Sequence, residues 1–103
     1  VRATITLTFP PDCWLFIQDR RRAPLPEPLS ADVEAVLGLP PRMEIWPPVP
    51  EPRFVVSMTQ PQAAALHRWL RALLEELSRE DPRWPTCLQC ISRVAGALRL
   101  SEL

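Results

Sequence analysis

Leu66, Trp69, Leu70, Leu73, Leu74 and Leu77 recur at helical spacing, and this stripe constrains the fold more than any other feature of the chain. Gln62, Arg68, Arg71, Glu75, Glu76 and Arg79 lie opposite it. The start is doubly marked: Thr59 and Gln62 have capping-box spacing, and Pro61 falls in the first turn, where a missing N–H costs nothing. Asp81-Pro82 supplies the stop. Just upstream, Phe54, Val56 and Met58 share one face of a short strand. The stretch from Arg53 to Arg79 is therefore a strand feeding a long amphipathic helix that lies back across a sheet.

A chain of 103 residues has room for one modest core. Its 14 prolines against two glycines imply stiff connections with few left-handed turns. Formal net charge is zero, so no global field draws the protein to nucleic acid or membrane. All 12 basic residues are Arg, which suits bidentate and stacked contacts, although a GC-rich gene gives the same bias. No run of 18 apolar residues and no leader-like segment occurs, and the chain enters a strand pattern without an initiator Met, as a domain cut from a longer protein would. Three cysteines without secretory context point to reduced thiols and an intracellular setting, cytoplasmic or nuclear.

Ala3, Ile5, Leu7 and Phe9 alternate with Thr4, Thr6 and Thr8 in a half-buried strand that Pro10-Pro11 ends. The run Trp14-Leu15-Phe16-Ile17 fits a buried strand or a short helix capped by Asp12, which would turn Leu15 and Phe16 inward. Ala23 to Pro28 is a polyproline-like connector. Ser30 then caps a short helix carrying Val33, Val36 and Leu37, ended by Gly38. Arg42 to Trp46 is a second strand with Met43 and Ile45 on one face, and Pro47 to Pro52 a rigid loop to the third. Thr86 and Gln89 repeat the capping-box spacing ahead of a last helix of about three turns, marked by Cys87, Ile91, Val94, Ala95 and Leu98.

Together these pieces resemble a KH domain, the strand–helix–helix–strand–strand–helix RNA-binding module. The resemblance rests on Thr4 to Pro11 as the opening strand, Asp12 to Ile17 as the first helix, and Met43-Glu44-Ile45 and Phe54 to Thr59 as the later strands. The helix from Pro61 to Leu77 would close the module. The family joins its first two helices by a Gly-x-x-Gly loop, whereas this chain has Gln18-Asp19-Arg20-Arg21 there, or the next register, with no glycine. Side chains at that loop would collide with a nucleic-acid backbone, and Asp19 would repel phosphate. Degenerate members lacking the loop serve as protein-interaction scaffolds, and the resemblance implies that role. The strand and Trp-bearing helix also look like the end of a pleckstrin-homology domain, which needs more strands than this sequence offers.

Arg20, Arg21 and Arg22 could contact phosphates, or simply form a solvated run. Cys87-Leu88-Gln89-Cys90 opens a helix, where a thiol can be activated, but the plainer reading is that Cys87 fills an apolar face. Cys13 and His67 show no ligand spacing, so no metal or other cofactor is expected. No nucleophile has a base partner, and no Gly-rich phosphate loop occurs, which argues against an enzyme and a small-molecule substrate. Trp69 is core by its stripe, while Trp46 and Trp84 are candidate interface anchors unless the last helix covers them.

The expected architecture is α+β: a three-stranded antiparallel sheet packed against helices over residues 1–80, with a helical appendage at 81–103. The expected role is a non-catalytic interaction or scaffolding module in an RNA-associated complex, acting on a protein partner or a second copy. Its surface would combine Arg20–Arg22 with Trp46, Trp84, Ile91, Val94 and Leu98. Direct single-stranded RNA binding through Arg20, Arg21 and Arg22 is the alternative, and no membrane contact is expected.

Overall fold

A computed structural model describes residues 4–22, 29–46 and 51–101. The described elements run β1 (Thr4–Phe9), α1 (Pro11–Arg22), α2 (Ala31–Gly38), β2 (Arg42–Trp46), β3 (Glu51–Thr59), α3 (Gln60–Glu76) and α4 (Trp84–Ser101). β3 is central in an antiparallel sheet of order β1-β3-β2. This is an α+β fold. The connector at 23–28 and the loop at 47–50 lie outside the described residues, as does the side chain of Trp46.

The sheet buries one face against the helices. Ile5 pairs with Met58, Leu7 with Val56 and Phe9 with Phe54, so the inward rows of β1 and β3 coincide. Ile5, Leu7, Phe9, Val56 and Met58 join Ala63, Leu66, Trp69, Leu70 and Leu73 of α3 in one core. Each such aliphatic side chain contributes roughly 1.5–3 kcal/mol relative to exposure. α3 starts as its sequence dictates: Thr59 Oγ1 accepts from Gln62 N at 3.4 Å, and Gln62 Oε1 accepts from Thr59 N at 2.9 Å.

The ambiguous run after Asp12 is helix. Pro11 begins α1, Asp12 lies in its first turn and Arg20, Arg21 and Arg22 in its last, an arrangement that complements the helix dipole at both ends. Cys13, Trp14, Phe16 and Ile17 are buried, and Trp14 stacks on Phe54 at 5.6 Å between ring centroids. Leu15, expected to turn inward, instead points out at 65% exposure, because positions 13, 16 and 17 define the buried side of a 3.6-residue helix.

α4 also departs from expectation. It begins at Trp84, not Thr86, and spans 18 residues. The Thr86–Gln89 spacing therefore lies inside the helix, and the turn before it is organised by Asp81. The Asp81 carboxylate accepts from Arg83 N at 2.9 Å and from the Arg83 guanidinium at 2.9 and 3.1 Å. That guanidinium and the backbone N–H hold the Asp81 carboxyl at about 2. Cys87, Cys90 and Val94 enter the same core as β1 and α3, and α4 packs on α3, β1 and α1. Residues 81–101 thus complete the core that residues 4–80 begin.

Candidate interaction surface

β2 is an edge strand, and its side chains divide cleanly. Met43 pairs with Phe54 and Ile45 with Pro52, so both belong to the helix-facing row. The sequence puts them on one face of the strand; the structure leaves them 60% and 65% exposed, because the helices cover β1 and β3 and stop short of this edge. Leu39, leading into the strand, is 64% exposed. Met43 and Ile45 thus give an apolar ledge along one side of the sheet. On the opposite face of β2, Arg42 Nε contacts Glu44 Oε1 at 3.1 Å.

Pro52 fixes how the backbone of this edge is oriented. It has no N–H, so its pairing with Ile45 is of the non-hydrogen-bonded kind. Antiparallel pairs alternate, so Arg42, Glu44 and Trp46 direct their peptide groups toward β3, and Met43 and Ile45 direct theirs toward the open edge.

The three arginines ending α1 are not equivalent, and they form a helical turn instead of the loop expected from sequence. Arg21 is inward, with its side chain 15% exposed. Its Nη2 lies 2.7 Å from Glu34 Oε1, its Nε donates to the same oxygen at 3.0 Å, and its guanidinium also donates to Gln18 Oε1 and to the Leu37 carbonyl. Gln18 Nε2 donates to the Leu37 carbonyl at 3.0 Å as well. This cluster locks α1 to the end of α2, where a Cβ on Gly38 would sit 3.3 Å from Arg21 Nη2. Arg21 is thereby withdrawn from the phosphate contacts expected of it. Arg22 is exposed and Arg20 half-buried.

The residues of α4 separate in the same way. Val94, a candidate contact, is fully buried within the chain's own core, while Ile91 and Leu98 are half-buried at its margin. Trp84 is half-buried as the first residue of α4, with the Arg79 guanidinium 5.9 Å from its ring centre. Outside β1, the polar side of α4 and the threonine row leave a trough of about 700 Å³ lined by Thr4, Thr6, Thr8, Ser92, Arg93 and Gly96 among others. The strict Thr alternation of β1 was the available sequence signal for it.

All three cysteines are buried. Cys87 S–H donates to the Leu70 carbonyl at 3.5 Å, and burial pushes its thiol up to about 11. Cys13 and Cys90, far apart in sequence, meet in the core. Side-chain hydrogen bonding between the two thiols holds Cys13 below the usual range, and that interaction together with burial pushes Cys90 upward. A raised, inaccessible Cys87 is unsuited to thiolate attack. His67 is half-buried, with desolvation and then Arg71 disfavouring its protonated form. Among the described residues no group of three or more His, Cys, Asp or Glu could hold a metal ion, and no helix is long and apolar enough to cross a membrane. Comparison with known proteins gives no match: no family model, curated protein or solved structure is significantly similar to this chain.

Proposed function

We propose that this domain is a non-catalytic protein-interaction module built on a degenerate KH-like fold and working within an RNA-associated complex. The observation that carries the interaction reading is the ledge of Met43 and Ile45, two large apolar side chains more than half exposed at one sheet edge, with Leu39 also exposed just before the strand. Support for the KH-like part is the element order through α3 and the antiparallel β1-β3-β2 sheet, together with the glycine-free end of α1. The test is affinity capture with wild type, Ile45→Glu and Met43→Glu at matched thermal stability. Protein ligands held by wild type and lost by both variants support the reading; identical capture by all three sinks it.

Direct RNA binding keeps one supporting observation, the exposed Arg22 beside Arg20 at the end of α1. A single-stranded RNA titration at low and physiological salt discriminates it, since phosphate contacts release counterions and make affinity fall steeply with salt. Binding at low salt that weakens in an Arg20→Ala/Arg22→Ala variant would favour RNA over protein as the ligand.

A further inference from the structure

We infer that the ledge pairs with a second copy of this chain, β2 against β2 in antiparallel register centred on Met43, making one six-stranded sheet. The inference rests on the interaction reading above and names its partner.

Charge pattern selects the partner and the register. Reversing a copy of β2 about Met43 sets Arg42 opposite Glu44 of the second copy and Glu44 opposite Arg42 of the second copy. The strand thus complements itself twice on the outer face. The backbone agrees with this register. Met43 directs its N–H and C=O toward the open edge, so a centre at Met43 makes a pair in which the two residues exchange both hydrogen bonds. Arg42 and Glu44 then fall in the flanking pairs of the close-spaced kind, where opposing side chains approach most nearly. On the other face, Met43 meets Met43 of the second copy with Ile45 on its diagonal, which covers side chains otherwise left 60% and 65% exposed. A centre one position along would set Glu44 against Glu44 and is disfavoured.

The association closes at two copies. α4 packs beside β1 at the other side of the sheet, and pairing about a two-fold axis consumes the β2 edge of both molecules. Pro40-Pro41 leads into a strand of only five residues, so the contact is short and the dimer a weak, reversible one.

Sedimentation equilibrium of the purified chain tests this with charge reversals, each checked by circular dichroism for unchanged folding. Wild type should approach dimer mass as concentration rises. Arg42→Glu and Glu44→Arg should each weaken association by about tenfold or more, since each sets like charges opposite one another twice. An equimolar mixture of these two variants should recover it, because one copy then carries a carboxylate at both positions and faces a copy carrying a guanidinium at both. Wild type that remains monomeric to its solubility limit, or dimerises with no sensitivity to either reversal, overturns the proposal. A monomer whose captured ligands are still lost on Ile45→Glu would overturn self-pairing alone and leave the interaction reading standing.

Discussion

The Cys90 thiol donates to the backbone carbonyl of Cys13 at 3.7 Å, a contact between positions 77 apart that ties α4 to the first turn of α1. Both residues are fully buried. Cys90→Ala removes the donor and leaves a small void, so it should lower unfolding free energy by about 1–2 kcal/mol. Urea denaturation measures this as a reduced midpoint at constant slope. An unchanged midpoint would mean that α4 does not depend on the contact.

Stability should fall above pH 9 for a reason confined to the thiols. The chain contains neither Lys nor Tyr, so cysteines are the side chains that titrate between pH 9 and 11. Unfolded, Cys87 ionises near 9.0; folded, burial defers ionisation to about 11. Between those values the unfolded chain binds fewer protons, so the contribution is complete below pH 9 and is lost as pH approaches 11. A shift of that size is worth on the order of 2–3 kcal/mol. Cys87→Ala should make the alkaline limb of a stability–pH profile shallower while leaving the part that the raised Cys90 contributes, and an equally steep limb in that variant would count against the assignment.

Arg21→Ala should destabilise by about 1–2 kcal/mol, because it removes a largely buried guanidinium that bonds Gln18 and the Leu37 carbonyl, while the 43% exposed Glu34 side chain can turn to water. Arg21→Lys should recover little, since a single ammonium cannot span both the carboxylate and the carbonyl. Arg22→Ala, in the same turn but exposed, should stay within about 0.5 kcal/mol of wild type. Thermal melts of the three variants give the comparison.

How much of this was legible beforehand depended on the range of the interaction. Thr59 and Gln62 cap α3 as their spacing dictates, and Leu66, Trp69, Leu70 and Leu73 are buried as their periodicity dictates, because both rules act within a few residues. Met43 and Ile45 have the right period for a core row and are nevertheless exposed; whether an edge row is covered is settled by how far the helices reach across the sheet, which no local pattern encodes. Cys13 looked isolated for the same reason, its neighbour Cys90 arriving from the far end of the chain. The role of Arg21 was hidden by its setting in a run of three arginines, where only the approach of α2 distinguishes the middle one.

Two substitutions to acid should separate core from surface. Val94→Asp buries a charge without a partner and should cost more than about 3 kcal/mol, abolishing the cooperative melt of a small domain. Ile45→Glu, at a mostly exposed position, should shift unfolding free energy by no more than about 0.5 kcal/mol. A large loss of stability in Ile45→Glu would show that the ledge is covered within the monomer.

The packing of α4 against β1 and α1 also dictates when the domain can become native. Contacts within α3 and along the β1–β3 and β2–β3 ladders need only residues up to Glu76, whereas Cys87, Cys90 and Val94 must reach partners in β1 and α1. The core of this domain therefore cannot close until the chain has been made at least through Val94. Until residue 94 emerges, the apolar flank of β1 and α1 lacks the cover that Cys87, Cys90 and Val94 provide.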